Sequence, residues 1–116
     1  MTITLTGNPL STQNLYLQSG KIRFMRQEAK DRKEQYQWEA KAQWRKFPLT
    51  TDVNIVVRLF FGDKRRRDFD NFHKISIDAL TGIVFLDDSQ IKKATIVMDY
   101  DKENPRIEID ILTENS

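Results

Sequence analysis

Residues 53–61, Val-Asn-Ile-Val-Val-Arg-Leu-Phe-Phe, restrict the possible folds of this chain more than any other stretch. Their alternation predicts a β-strand with one strongly apolar face, formed by Val53, Ile55, Val57, Leu59 and Phe61. Val56 and Phe60 add apolar character to the other face, and a strand covered on both faces is usually central in its sheet. We therefore expect neighbouring strands on both sides of this one.

The residues before this strand predict two further strands and a loop. Residues 1–6 alternate Thr with Ile3 and Leu5, which predicts a strand with one buried face. Residues 8–20 are rich in Asn, Gln, Ser and Thr and predict a loop, and residues 22–25 predict a short strand.

Residues 26–46 predict a long helix because they contain no Gly or Pro and are rich in Ala, Glu, Lys, Gln and Arg. A helical wheel groups one apolar set, namely Met25, Ala29, Tyr36, Ala40 and Phe47, with Trp44 at its margin. Trp38 falls on the opposite side, where it would contact a second subunit or DNA, or be partly covered by a neighbouring loop. Phe47-Pro48 ends the helix.

A second helix is predicted over residues 68–81 and is closed by Gly82. Its apolar side would carry Phe69, Phe72, Ala79, Leu80 and Ile83, with Ser76 among them, and its polar side Asp70, Lys74 and Asp78. Residues 94–100 and 106–112 alternate and predict a hairpin. The order β-β-α-β-α-β-β predicts an α+β fold, a single domain over residues 1–116 with a mixed β-sheet and two helices mainly on one face.

Composition excludes several classes of protein. Because none of the 116 residues is cysteine, disulfide scaffolds and thiolate metal sites are excluded, and a reducing compartment is expected. No apolar run approaches the roughly 18 residues that span a bilayer, and the N-terminus lacks the features of a secretory signal. We expect a soluble, cytoplasmic protein without a membrane partner.

Charge is unevenly distributed, although the net charge is only +2. Residues 21–47 contain nine basic and four acidic side chains, whereas residues 99–116 are acidic. A basic first half suits contact with a phosphate backbone. Taken alone, a solvated helix with internal ion pairs explains this stretch equally well.

Two stretches carry candidate chemistry, residues 65–74 (Arg-Arg-Arg-Asp-Phe-Asp-Asn-Phe-His-Lys) and residues 85–90 (Phe-Leu-Asp-Asp-Ser-Gln). Asp68 and Asp70 stand where the predicted strand passes into the second helix. In a regular helix they would point about 200° apart, but with Asp68 in the entering loop and Asp70 in the first turn both can face one ion. A single Asp here would be an ordinary cap; the pattern after three arginines favours function.

Such carboxylates are the ligands that Mg²⁺ prefers, and Mg²⁺ neutralises a scissile phosphate and activates the attacking water. Zinc is disfavoured because cysteine is absent and His73 is the only histidine. Lys74 would share the helical face of Asp70 and reach the same phosphate, or form an ordinary ion pair with Asp70.

Arg65, Arg66 and Arg67 crowd positive charge beside these acids, and an anionic DNA backbone would relieve that crowding. Asn71 would orient Asp70 or reach the phosphate, or only stabilise the helix start. We expect these four residues to form the DNA-binding set.

The run of residues 66–74, followed by Asp78-Ala79-Leu80 and by residues 86–90, closely resembles the RusA family of Holliday junction resolvases, found in bacteriophages, prophages and bacteria. The N-terminal stretch is similar to that family's loop of Pro, Ser, Asn and Tyr, through Gly7-Asn8-Pro9, Ser11, Asn14, Tyr16 and Gly20.

This resemblance implies a homodimeric endonuclease that acts in DNA recombination and repair in a bacterial host and nicks two opposing strands of a four-way junction. It implies Mg²⁺ as cofactor, with Mn²⁺ able to replace it. It assigns metal binding and catalysis to Asp68, Asp70 and Asp88, a catalytic role to Lys74, and a place near the DNA to Arg67. Asp87 is an adjacent acid of open role, and Trp38 and Ile77 are candidates for the dimer interface.

Two other hypotheses remain. The chain could bind junctions without cutting them, which the presence of all four candidate catalytic residues disfavours. It could be an Asp-x-Asp metal enzyme acting on nucleotide sugars or phosphorylated metabolites, which is weak because so short a motif is common by chance and 116 residues leave no room for a nucleotide-binding domain.

Overall fold

The computed structural model describes residues 1–11, 16–19, 22–25 and 27–113, and for residues 16–19, 22–25 and 70 it describes the backbone alone. The strands are β1 (Thr2–Thr6), β2 (Tyr16–Ser19), β3 (Ile22–Met25), β4 (Val53–Phe61), β5 (Ile91–Tyr100) and β6 (Arg106–Thr113). The α-helices are α1 (Gln27–Gln43) and α2 (Lys74–Leu80). Two short 3-10 helices cover Phe69–Asn71 and Asp88–Gln90.

Four strands form one mixed sheet in the order β1-β6-β4-β5. β4 runs parallel to β5 and antiparallel to β6, and β6 runs antiparallel to β1. The position of β4 inside the sheet confirms the prediction made from its apolar pattern. β2 and β3 pair with each other as a separate antiparallel hairpin. The α+β class with a mixed sheet and two helices is confirmed.

The core lies on one face of this sheet, under the helices. α1 contributes Ala29, Tyr36 and Ala40, and α2 contributes Ile75, Ala79 and Leu80. They pack against alternate residues of the strands: Ile3, Leu5, Val53, Ile55, Val57, Leu59, Phe61, Ile107, Ile109 and Ile111. Each of these sheet residues is nearly inaccessible to water, so the helix layer and the sheet share one apolar core.

The prediction of the second helix is wrong for its first half. Residues 68–73 pass through a 3-10 turn and a bend, and α2 begins only at Lys74. The chain leaves the helical path where the Phe72 ring packs edge-on against the Phe61 ring, with centroids 5.1 Å apart. Phe69, expected in the core, is 62% exposed. Asp70 and Lys74 therefore do not share the face of a continuous helix.

The end of this helix is confirmed. Thr81 is the C-cap residue of α2, and Gly82 follows with φ of +88°, a conformation that favours glycine.

The predicted hairpin of residues 94–100 and 106–112 is also wrong, although both strands exist. β5 and β6 do not pair, because β4 lies between them. The β4–β5 pair is parallel and is connected through α2 on the core face.

Several smaller expectations also change. Residues 16–19, expected in a loop, form β2. Phe47 is 92% exposed, because α1 ends at Gln43 and the helical wheel no longer applies four residues later. Ile77 is partly buried and packs against the core, whereas Trp38 is exposed. In the described part of the chain, no helix combines the length and the apolar character needed to cross a bilayer.

Candidate active site

A basic loop follows β4 and forms the first part of the candidate site. Within it, the Arg67 guanidinium lies 4.2 Å from the centre of the Phe61 ring and pairs with Asp63 at 2.8 Å. The same guanidinium donates hydrogen bonds to the carbonyl oxygens of Asp63 and Arg65. Its side chain is only 9% exposed. Arg67 therefore fixes the shape of the loop.

Asp63 is the acidic centre of this loop. Its carboxylate accepts a hydrogen bond of 2.9 Å from the backbone N–H of Arg65 and also faces Arg67. The Arg65 backbone bond, aided by the side chain of Arg67, holds the pKa of Asp63 below its usual range. Arg65 and Arg66 remain exposed on the outside of the loop, where an anionic ligand can reach them.

Asp68 stands at the start of the first 3-10 helix with an exposed side chain. It occupies the capping position, yet its carboxylate makes no capping hydrogen bond. The capping role that a lone Asp would normally play at this position is therefore absent. Asn71 is half-buried, and its backbone N–H donates to the Asp68 carbonyl oxygen at 3.4 Å. The backbone places Asp70 in the middle of the same turn.

Lys74 begins α2, directly after the bend at residues 72 and 73. Its ammonium lies 3.3 Å from the Asp78 carboxylate, one turn further along the helix, and its side chain is 50% exposed. Its neighbour His73 has a buried Nδ1 that finds no hydrogen-bond partner in the described part of the chain. The sequence did not predict this buried nitrogen without a partner, because nothing in the sequence around His73 indicates it.

The second acidic stretch forms a tightly held turn before β5, and the two aspartates in it differ. Asp87 closes a capping box with Gln90, and its carboxylate accepts a hydrogen bond of 2.6 Å from the Ser89 hydroxyl. That bond is the main reason why the pKa of Asp87 is lowered. Asp87 therefore builds the turn, although its side chain is exposed like that of Asp88.

The parallel pairing of β4 with β5 decides where the two acidic stretches lie relative to each other. The first pair is Val53 with Ile91 and the last is Phe61 with Tyr100. Asp88 precedes the first pair, and Asp68 follows the last. The structure thus brings Asp68 together with the 3-10 turn that holds Asp70 but places Asp88 at the other end of these strands. Among the described residues, no group of three acidic, His or Cys side chains could hold a metal ion.

A groove of about 320 Å³ borders the basic loop and was not predicted from the sequence. It is lined by the end of β5 (Met98, Asp99 and Tyr100) and by Lys64, Arg65 and Arg67 of the loop. The Lys64 ammonium lies 4.9 Å from the centre of the Tyr100 ring. The basic loop therefore leans over the end of β5, and only long-range packing, not local sequence, brings these residues together.

A second groove, of about 500 Å³, lies along the exposed side of α1. Trp38 is 67% exposed there, and the Lys41 ammonium lies 5.6 Å from the centre of its ring. Lys30 and Lys33 line the same groove. This face has the charge and the exposed ring expected of a DNA-contacting or subunit-contacting surface.

Comparison with known proteins identifies the family. The family model described as "Endodeoxyribonuclease RusA" matches residues 6–112, which is nearly the whole chain. The chain belongs to the RusA family. Among curated relatives, RusA of Enterobacteria phage 82, named a crossover junction endodeoxyribonuclease, is 39% identical over 64 residues. That match covers 54% of this chain and 53% of the phage protein, so this chain spans about half the length of the curated relative it matches.

Proposed function

We propose that this chain is a divalent-metal-dependent endodeoxyribonuclease that cuts four-way DNA junctions. The observation that carries the proposal is Asp68, an exposed carboxylate at a capping position that it does not use, directly after a basic loop. Membership of the RusA family supports the choice of DNA as substrate. The name of the phage 82 relative supports the choice of a crossover junction.

The loop residues take separate roles in this proposal. Arg65 and Arg66 are exposed and would contact phosphates directly. Arg67 contributes by holding the loop against Phe61, so its effect on DNA is indirect. The backbone N–H of Asn71 donates to the Asp68 carbonyl oxygen, and the Asn71 side chain would reach the phosphate. Lys74 would exchange its ion pair with Asp78 for the scissile phosphate and stabilise the charge that develops there.

Mg²⁺, or Mn²⁺ in its place, is the cofactor we propose, since carboxylate oxygens are the donors that such ions prefer. When bound, the ion would neutralise the scissile phosphate and lower the pKa of the attacking water. Asp68 and Asp70 would hold it from one turn of the chain. Asp88 of the same chain does not fit this position, because it lies at the opposite end of β4 and β5.

A homodimer is the second part of the proposal. A four-way junction presents two equivalent strands related by an approximate two-fold axis, and a two-fold dimer presents two equivalent sites. Two sites would allow symmetric paired nicks, the outcome that recombination and repair require.

A cleavage assay tests this function. We expect the wild type to nick a synthetic four-way junction with Mg²⁺, and to leave a flap and a linear duplex largely uncut. Asp68→Asn should lower the cleavage rate by about 100-fold or more, a loss in the range of a missing charge-stabilising group, while junction binding persists. Glu28→Gln, an exposed acid on α1, is the matched control and should cleave normally.

Two results would count against the proposal. Cleavage by Asp68→Asn at the wild-type rate would remove that residue from the reaction. Tight junction binding by a wild type that never cuts, with either Mg²⁺ or Mn²⁺, would favour the non-catalytic junction-binding protein instead.

A further inference from the structure

The two polar flanks of α1 differ in what they contact. On one flank, side chains hydrogen-bond to the backbone of β1 at Thr4 and Thr6, and these side chains are Gln35, Glu39 and Gln43. β1 is an edge strand of the sheet, so this flank gives partners to backbone groups that would otherwise face solvent. The polar residues of this flank therefore have a structural role in the fold.

The other flank borders the groove of about 500 Å³ and forms what we call the outer face of α1. Its six residues are Lys30, Lys33, Glu34, Gln37, Trp38 and Lys41. At 100° per residue they lie within about 140° of the helix circumference, away from the buried residues Tyr36 and Ala40. In the part of the chain that the structure describes, none of the six side chains bonds to the sheet, so the fold does not explain them.

The outer face carries three ammonium groups, on Lys30, Lys33 and Lys41, against one carboxylate, on Glu34. Among the described residues, none of the three lysines forms an ion pair, whereas Lys74 pairs with a carboxylate on its own helix. Lysines that have no acidic partner attract phosphates, and each phosphate contact releases counterions and strengthens binding. The charge of this face is therefore complementary to a nucleic acid backbone.

Trp38 gives the same face an aromatic surface. Its side chain is 67% exposed, whereas Trp44, the other tryptophan, is only 5% exposed. The Lys41 ammonium lies 5.6 Å from the centre of the Trp38 ring. A positively charged groove with an exposed aromatic ring is the arrangement that binds single-stranded nucleic acid, because the phosphates meet the cations and a base stacks on the ring.

A second copy of the chain fits this face less well. The centres of protein–protein interfaces are depleted of lysine, yet here lysines surround the only large apolar side chain of the groove. Two copies meeting face to face would also bring like charges together, which opposes association. The charges therefore favour a nucleic acid as the occupant.

Contacts between distant residues place the start of α1 at the end of the sheet where the basic loop begins. The Arg32 guanidinium donates to the Asn8 carbonyl oxygen, and the Asn8 side chain accepts a hydrogen bond of 2.9 Å from the backbone N–H of Gly62. Gly62 directly follows β4 and precedes the basic loop. Lys30 and Lys33, which flank Arg32, therefore lie at the same end of the molecule as the candidate active site.

We propose that the outer face of α1 is a second DNA-binding site, which holds a single-stranded segment. Lys30, Lys33 and Lys41 bind its phosphates, and one unpaired base stacks on Trp38. Bases inside a duplex stack on one another, so only an unpaired base reaches the ring, and a branched substrate offers one where pairing opens. This inference rests on the proposed function for DNA as the ligand, but the site is separate from the candidate active site.

Anisotropy of a labelled oligothymidylate of about 10 nucleotides tests the site, with EDTA present so that cleavage plays no part. Trp38→Ala should weaken binding by about 5- to 150-fold, the range for the loss of one stacked base. Phe47→Ala is the matched control, because Phe47 is an aromatic residue 92% exposed outside the groove, and it should bind like the wild type. An abasic strand of the same length should bind equally to the wild type and to Trp38→Ala.

The lysines have their own readout, the salt dependence of binding. Lys30→Gln, Lys33→Gln and Lys41→Gln should each lower the slope of the logarithm of affinity against the logarithm of salt concentration by about 0.7, the value for one phosphate of a single strand. Lys93→Gln is the matched control, since it removes the same charge from an exposed position on β5. Thermal melts confirm that each variant is folded.

Tryptophan fluorescence reports on stacking directly. The chain has two tryptophans, so Trp44→Phe leaves Trp38 as the only emitter. Oligothymidylate should quench its emission, whereas the abasic strand should not. Equal quenching by both strands would overturn stacking on Trp38.

Two further results would overturn the second site. One is equal affinity of the wild type and Trp38→Ala for oligothymidylate. The other is a wild-type dimer that Trp38→Ala converts to a monomer in analytical ultracentrifugation, because the outer face would then be a subunit interface. A wild type that binds the strand through Trp38 but never cuts a junction contradicts only the proposed function. A wild type that cuts junctions but binds the strand without Trp38 contradicts only this inference.

Discussion

Replacing Gln90 by alanine tests how the turn that carries Asp88 is held. The Gln90 side chain accepts hydrogen bonds of 2.9 Å from the backbone N–H groups of Leu86 and Asp87. It also donates to the Leu49 and Thr51 carbonyl oxygens, on the segment that enters β4. The substitution removes all four hydrogen bonds, so the turn loses its side-chain links to the segment before β4.

The magnitude follows from these bonds. At a net value of about 0.5–1.5 kcal/mol each, four hydrogen bonds contribute roughly 2–6 kcal/mol. The lower end applies because Leu86, Asp87 and Thr51 are exposed, and water can replace the lost partner. We expect the free energy of unfolding to fall by about 2 kcal/mol, which lowers Tm by about 8 °C for a domain of this size.

Urea unfolding followed by circular dichroism measures this loss. Lys92→Ala is the matched control, because the Lys92 ammonium makes one exposed hydrogen bond, to the Ser89 carbonyl. Its effect should stay within about 0.5 kcal/mol, as for other surface substitutions. If Gln90→Ala is as stable as Lys92→Ala, the turn does not depend on these hydrogen bonds and the reasoning fails.

Three further predictions use other parts of the structure. Gly82→Ala should cost about 1 kcal/mol in urea unfolding, because φ is +88° although no atom lies within 4 Å of the added methyl group; an unchanged midpoint would contradict this. Arg67→Ala should lower the free energy of unfolding by about 1 kcal/mol. Arg66→Ala should leave that free energy unchanged, but it should reduce the slope of the logarithm of junction affinity against the logarithm of salt concentration by about one, the value for one phosphate contact. Equal effects of the two substitutions on stability would refute the division of roles. Stability should also fall in acid, because the pKa values of four carboxylates are lowered in the folded state, namely those of Asp63, Asp87, Asp101 and Asp110. Their stabilisation is present above the unfolded value of about 4 and is lost as pH falls through the folded values. Urea titrations at pH 6 and pH 3 measure that change, and equal midpoints would contradict it.

Elements with a long uninterrupted period could be predicted from sequence. β4 alternates over its whole length, and each residue expected on its apolar face is buried. A helix is predicted over residues 26–46 because their composition favours helix and contains no breaker, and α1 covers Gln27–Gln43 of that stretch. In both cases the pattern is local, and many side chains report on the same face.

Strand pairing and the break before α2 could not be predicted, because they depend on contacts between distant residues. The sequence of residues 68–81 does not predict a bend, since the stretch has no Gly or Pro. The bend depends on the contact between the Phe72 and Phe61 rings. The short connection after β5 suggested a hairpin, yet β6 pairs with β1 and β4 instead. For the same reason the sequence predicted three acidic residues of one site without showing that Asp88 lies far from Asp68.

The position of β6 has a consequence for how the chain folds. β6 lies between β1 and β4, and Thr2 meets Asp110 across 108 residues of sequence. The sheet therefore cannot form by adding neighbouring segments one after another, because its interior strand must close a loop that contains almost the whole chain. Proteins dominated by such distant pairings fold in milliseconds to seconds, far more slowly than helical bundles of the same size. Until β6 is in place, the edge of β4 that pairs with it has no partner, and the early folding chain is open to association with other chains.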